Sequence, residues 1–197
     1  MPVDVFIALL GFSFVSSVTP GPNNIMLLAS GVNFGFRRTI PHMFGIAFGF
    51  AVLLLAVGFG LKEVFEQVPI AQILIKIAGA AYLIYLAWKI AVSGPVESGE
   101  TDSKPMSFLS AALFQWVNPK AWVMAITAMT VYTGKPDFAT SVLIVCSAFT
   151  LVNFPSVSIW CGFGVALREW LSDPKRLRIF NVSMALLLII SLWPMLR

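Results

Sequence analysis

Two short stretches combine residue types that do chemistry with residue types that break helices. The first is Thr19-Pro20-Gly21-Pro22-Asn23-Asn24. Pro20 and Pro22 donate no backbone N–H, and each ring opposes the preceding helical turn. Gly21 tolerates backbone angles that other residues avoid. Carbonyls one turn upstream are predicted to lose their helical partners. Asn23 and Asn24 follow as the first turn of a new half-helix, whose free N–H groups and partial positive charge suit a carboxylate. The second stretch is Gln115-Trp116-Val117-Asn118-Pro119-Lys120-Ala121-Trp122, which sets an ammonium among apolar residues. An ionisable side chain within a membrane span is a functional candidate by default. The bland alternatives are a packing kink at the first stretch and a Lys120 that snorkels to a membrane face.

A third irregularity is Asn153-Phe154-Pro155-Ser156. Asn153 and Ser156 either satisfy carbonyls freed by Pro155 or line the same cavity. His42, the single histidine, stands beside Pro41 at the expected start of a helix, where a structural role outweighs a titrating one. Cys146 and Cys161 have no CxxC spacing and read as plain core or lipid-facing residues. No Asp or Glu falls deep inside an apolar run, so a buried carboxylate relay has no obvious residue. One histidine without HExxH leaves no metal site, and no P-loop is present. Cofactors and enzyme chemistry are not expected.

These residues must be positioned by helices in lipid. The chain has 197 residues, 58% hydrophobic and 11% charged, against roughly 25% charged in soluble domains. A chain this apolar cannot cover itself in polar surface. The net charge of +4 comes without a basic stripe and interleaved aromatics, which argues against nucleic acid. The start, Met1-Pro2-Val3-Asp4, has no basic n-region, so the first apolar run reads as a retained helix.

A span needs about 20 apolar residues, and six candidates follow: Val3–Asn33 with its interruption, Pro41–Leu61, Ile70–Val92, Ser107–Tyr132, Phe138–Leu167 with Pro155 inside it, and Ile179–Leu196. Phe36-Arg37-Arg38, Lys62 to Pro69, Gly134-Lys135-Pro136-Asp137 and Arg168 to Arg178 read as connections. The polar stretch 93–106 divides the chain almost in half. Arg37, Arg38, Lys89, Lys104, Arg168, Lys175, Arg176 and Arg178 fall on one side. Lys62, Lys76, Lys135 and Arg197 fall on or near the other, which puts the first group in the cytoplasm and both termini outside.

Three spans, a loop and three spans predict one transmembrane domain over 1–197, built as two inverted repeats of about 1–92 and 107–197. The first span of each half is Pro-broken, at Pro20, Gly21 and Pro22 and again at Pro119. Inverted repeats with matched breaks and a midplane site are a common transporter plan. The substrate-binding candidates are Asn23, Asn24, Asn118 and Lys120, with Thr19 and Asn153 behind them. Pro20, Gly21, Pro22, Pro119 and Pro155 are the hinge candidates. Gly45 and Gly49 form a small-xxx-small face, either for packing within the chain or for a homodimer seam.

Several stretches resemble the LysE/RhtB superfamily of amino-acid exporters: Thr19 to Asn24, Gly35-Phe36-Arg37-Arg38, Gly45 with Gly49, and Gly79-Ala80-Ala81-Tyr82-Leu83-Ile84-Tyr85-Leu86-Ala87-Trp88-Lys89. The resemblance extends over essentially the whole chain. The asparagine pair and the Ala87-Trp88-Lys89 ending look most like the cysteine and O-acetylserine branch, and the homoserine, threonine and leucine branches share much of this. Basic-amino-acid exporters of the family carry an aspartate in the second helix, and this chain has none. The resemblance implies six helices, a bacterial inner membrane, and efflux of small neutral amino acids driven by the proton gradient. Two rivals stay open: a membrane scaffold or assembly protein without transport, and a membrane-embedded enzyme dependent on Cys146, Cys161 or His42.

Overall fold

The structure, a computed structural model, describes residues 1–61, 69–93, 104–134 and 137–193. The connection 62–68, most of the polar loop (94–103), Lys135 with Pro136 of the expected turn, and residues 194–197 lie outside the described residues. The described chain is all-helical. The order is α1 (Val3–Val18), α2 (Pro22–Phe34), α3 (Phe36–Ala56, continued by a π-helical turn Val57–Leu61), α4 (Pro69–Ala91), α5 (Phe108–Phe114), α6 (Pro119–Tyr132), α7 (Phe138–Leu167) and α8 (Pro174–Ile190).

Both expected breaks are present. Residues 19–21 separate α1 from α2, whose axes bend by 54°. Residues 115–118 separate α5 from α6. Each following half-helix opens on a proline, Pro22 or Pro119. Proline's fixed φ suits a first helical position, where its missing N–H would have had no helical partner anyway. Pro155, expected as a break, lies inside an α7 that runs on without interruption.

Two helix starts fall earlier than expected. Phe36-Arg37-Arg38 is the first turn of α3 and not a connection, because Gly35 at φ +78° turns the chain by itself. His42 is therefore well inside α3. The stretch Arg168–Arg178, expected as a loop, contains a short 3-10 turn at Trp170–Ser172 and the start of α8 at Pro174. Asp173 caps α8 by accepting from the Lys175 and Arg176 N–H groups at 2.8 and 3.0 Å. Charged residues read as loop from composition are here first-turn residues of helices.

Among the described residues, three helical stretches are long and apolar enough to cross a membrane: Phe36–Gly60, Ile73–Ala91 and Phe138–Leu167. The bent pair α1–α2 is a fourth if counted as one span. The second break leaves pieces of 7 and 14 residues, and α8 has 17, so these fall short on length alone.

Glycines set the closest helix contacts, and these cross between the two halves. A Cβ at Gly31 of α2 would collide with the Cys161 carbonyl of α7, and one at Gly164 with the Leu28 carbonyl. Gly45 and Gly49 of α3 receive α5 in the same way, at Phe108, Ala111 and Ala112. The small-xxx-small face is thus used inside the chain. Asn33 and Asn181, both buried, exchange carboxamide bonds of 3.0 and 3.2 Å that tie α2 to α8.

The apolar core is divided along the helices. One cluster gathers Leu9, Phe50, Leu53, Met124, Val145 and Phe149, from α1, the end of α3, α6 and the first half of α7. Two others gather Ile25, Leu83, Phe114 and Leu188, and Leu27, Met43, Ile46, Val157 and Cys161. The second break touches two of them, with Trp116 packed on the first cluster and Val117 on the second.

Candidate functional site

Interrupting a helix strands carbonyls, and in an apolar surrounding each unpaired one costs several kcal/mol. The sequence predicts such carbonyls above the first break, and the structure supplies each with a donor. The Thr19 N–H donates to Val15 O at 3.1 Å, and the Thr19 hydroxyl donates to Ser16 O at 3.1 Å. Asn24 Nδ2 donates to Ser17 O at 2.8 Å and to Thr19 O at 2.9 Å. Trp160 Nε1, reaching from α7, donates to Val18 O at 3.1 Å. Lys120 Nζ donates to Thr19 O at 2.6 Å and lies 3.5 Å from Pro20 O. The expected bare carbonyls are therefore all met, by Thr19 and Asn24 from within the break and by Trp160 and Lys120 from far along the chain.

Gly21 serves a different purpose from the one its type predicts. Its backbone is extended, at φ −173° and ψ 177°, which any residue adopts. What matters is the missing side chain: a Cβ there would stand 2.7 Å from Lys120 Cδ. Glycine leaves the lane along which the lysine crosses from the second break to the first.

The second break is joined to the first by a carboxamide pair. Asn23 Nδ2 donates to Gln115 Oε1 at 2.8 Å, and Gln115 Nε2 returns a bond to Asn23 Oδ1 at 3.2 Å. Gln115, fully buried, also donates to Ala111 O at 2.9 Å. Asn118 caps α6, its Oδ1 accepting from the Lys120 N–H at 3.2 Å. The first turn of α2 has no side-chain cap.

These groups line a small cleft that is partly open to its surroundings. Of the binding candidates, Asn23, Asn24, Asn118, Lys120 and Asn153 line it, as does Gly21. Thr19 does not; it acts one layer back, through its carbonyl and hydroxyl. Pro20, Pro22, Pro119 and Pro155 are also outside the lining.

Three polar lining residues escaped the sequence reading: Ser16, Ser17 and Gln115. A signal existed, since each is a small or amide-bearing polar residue within one turn of a break in an otherwise apolar run. The apolar part of the wall is Phe50, Ala121, Met124 and Val157. Lys120 is the one charged side chain among the lining residues. Its ammonium has three N–H donors, and the Thr19 and Pro20 carbonyls occupy two directions, so it retains capacity for a further acceptor.

Asn153 is buried, at 6% exposure. Its Nδ2 faces the Ser17 hydroxyl at 3.5 Å, and its Oδ1 has no partner. Ser156 donates back to Val152 O at 2.9 Å and stays within its own helix. His42 is buried at 2% exposure, and neither ring nitrogen has a partner. Cys146 and Cys161 are free and buried. Among the described residues no group of His, Cys, Asp or Glu could hold a metal ion.

The family model described as LysE type translocator matches residues 14–191. The chain is similar to the cysteine/O-acetylserine efflux proteins of Escherichia coli (strain K12), Shigella sonnei (strain Ss046) and Shigella flexneri serotype 5b (strain 8401). Each is 36% identical over 124 residues, which is 61% of this chain and 62% of the relative's length. The alignment thus spans less than two thirds of these relatives. No solved structure matches the chain.

Proposed function

We propose that this chain, which belongs to the LysE type translocator family, is a secondary exporter of a small neutral amino acid or derivative. Cysteine and O-acetylserine are the first candidates, because the similar efflux proteins are named for them, and homoserine or threonine-like substrates come next. The observation that carries the reading is the polar cleft where the two helix breaks meet, walled by carboxamides, hydroxyls and one ammonium.

The cleft's electrostatics favour a zwitterion. Lys120 offers the carboxylate a positive partner, and the uncapped first turn of α2 adds N–H groups and partial positive charge. No acidic side chain stands in the lining to neutralise a second positive charge, so lysine or arginine would enter at the full cost of an unpaired cation. The proposed binding set is Asn23, Asn24, Asn118, Lys120 and Asn153, joined by Gln115. Thr19 supports it from behind.

The same reading places one transmembrane domain over 1–197 in a bacterial inner membrane. It has six crossings, the second three inverting the first, and is driven by the proton gradient. Support for the repeat comes from the matched order of broken span, proline-opened half-helix and long helix in α1–α2–α3 and α5–α6–α7. The glycine contacts of α2 on α7 and α3 on α5 bind the halves too closely for one to slide past the other as a block. The change of access is therefore taken at Pro20–Pro22 and Pro119, where the backbone is already interrupted.

The test is counterflow in liposomes holding the purified full chain, with a panel of labelled amino acids. Exchange of cysteine, O-acetylserine, homoserine or threonine, with none of lysine or arginine, is the expected result. A flat panel would remove the transport reading.

A further inference from the structure

The cleft holds one unmet acceptor. Among the described residues, Asn153 Oδ1 is the one buried side-chain oxygen without a hydrogen-bond partner. Buried polar atoms are paired in the great majority of cases, and an unpaired one calls for a reason. Asn153 is one of the residues that line the cleft, and its unpartnered oxygen is buried in that wall. Every carbonyl of Val15 through Thr19 is already met by a donor from the protein. A solute that enters the cleft can bring the donor that Asn153 Oδ1 lacks.

We propose that Asn153 Oδ1 accepts the α-ammonium of the transported amino acid, with the Ser17 hydroxyl beside it and Lys120 reserved for the carboxylate. This rests on the transport reading above and assigns the two ends of the substrate. An ammonium held by neutral oxygens, in a cleft whose one charged wall residue is a cation, gains most when its own molecule carries a compensating carboxylate. The subsite therefore selects zwitterions with a free amine and discriminates against des-amino and N-acylated relatives. A site built to hydrogen-bond a polar group rejects analogues that lack it far more strongly than it rejects a change in apolar bulk.

The experiment compares competition against labelled cysteine uptake in liposomes holding the full chain, under reducing conditions. The competitors are unlabelled cysteine, 3-mercaptopropionate, which lacks the amine, and N-acetylcysteine. In the wild type, both analogues are expected to compete at least ~10-fold more weakly than cysteine. Asn153→Leu is expected to weaken cysteine to the level of 3-mercaptopropionate while leaving 3-mercaptopropionate unchanged. Asn153→Asp keeps an acceptor and is expected to hold cysteine within about threefold of the wild type, which also guards against a Leu variant that does not fold.

An equal loss for cysteine and 3-mercaptopropionate on Asn153→Leu would overturn the assignment, because a packing role weakens both. Failure of Asn153→Asp alongside Asn153→Leu would also overturn it, because it would mean that the amide's N–H groups do the work. A wild-type protein that exchanges none of the panel amino acids overturns the transport reading first, and the subsite with it. Normal exchange by a wild type that does not discriminate between cysteine and 3-mercaptopropionate overturns the subsite alone.

Discussion

The two breaks interrupt their helices just before a proline that opens the next half-helix, yet they dispose of their stranded backbone groups in opposite ways. The second break looks after itself. The N–H groups of Gln115, Trp116 and Val117 turn to the carbonyls three residues back, at 3.2, 3.1 and 3.1 Å. Trp122 Nε1 closes on Trp116 O at 2.7 Å, and Asn118 caps the new helix. These donors and acceptors all lie within residues 112–122. The first break borrows instead. Thr19 meets the Val15 and Ser16 carbonyls locally, but the later ones are met by Asn24 from the next helix, Trp160 from α7 and Lys120 from the second break. A self-contained turn has nothing to exchange, whereas a borrowed set can trade partners when a ligand or a helix movement offers others. The first break is accordingly the more adaptable of the two hinges, and the second is the firmer one, from which Lys120 and Gln115 reach it.

The sharpest way to break this contrast is to remove the longest reach. Lys120→Met keeps much of the side chain's bulk and leaves the Thr19 and Pro20 carbonyls without their ammonium. A hydrogen bond from a charged donor contributes about 1.5–3 kcal/mol, so a clear fall in thermal midpoint is expected, with exchange reduced to background. Gly21→Ala should act in the same direction and less strongly, because its Cβ would crowd Lys120 Cδ without removing the charge. Measured exchange close to wild type in Lys120→Met would show that the first break does not depend on the second.

The Asn23–Gln115 pair comes next. Each single change to Leu leaves a carboxamide facing an apolar wall, and buried unsatisfied groups cost about 1–3 kcal/mol. Replacing both removes the need and should recover much of the loss. Between helices in a bilayer, such pairs average about 0.6 kcal/mol and reach about 1.7. A coupling energy in that range, read from thermal denaturation of the four proteins in detergent, would tie the two breaks together. Strict additivity would mean that Asn23 and Gln115 act separately.

Much of this was legible beforehand where the backbone itself carries the signal. Pro20, Gly21, Pro22 and Pro119 mark interruptions because proline removes a donor whatever the surroundings, and α7 runs from Phe138 to Leu167 as its apolar run predicts. Pro155 stands inside that same helix, which packs on α1, α2 and α3 and runs on through it. Arg37, Arg38 and Lys175 misled because charge marks a water-facing surface, and the first turn of a helix is such a surface as readily as a loop. The purposes of Gly21 and Asn24 were hidden for a different reason. Gly21 depends on a distant group, Lys120, and Asn24 on how the break folds back toward the carbonyls of Ser17 and Thr19, and residue type alone records neither. Gln115 was overlooked for the same cause, since its partner is 92 residues away.

The smallest expected effect belongs to the self-contained break and is the most discriminating for that reason. Asn118 accepts from the Lys120 N–H within its own turn, so Asn118→Ala should cost about 1 kcal/mol, the usual loss of an N-cap. Asn118→Ser should restore most of it, since a hydroxyl caps nearly as well. If Asn118 only holds α6 in place, stability and exchange will recover together in the serine protein. If its amide also touches the amino acid in the cleft, the serine protein will regain its thermal midpoint while its apparent affinity stays weakened. That split would place a binding role on the rigid side of the cleft, and the contrast between an adaptable break and a fixed one would then describe backbone alone.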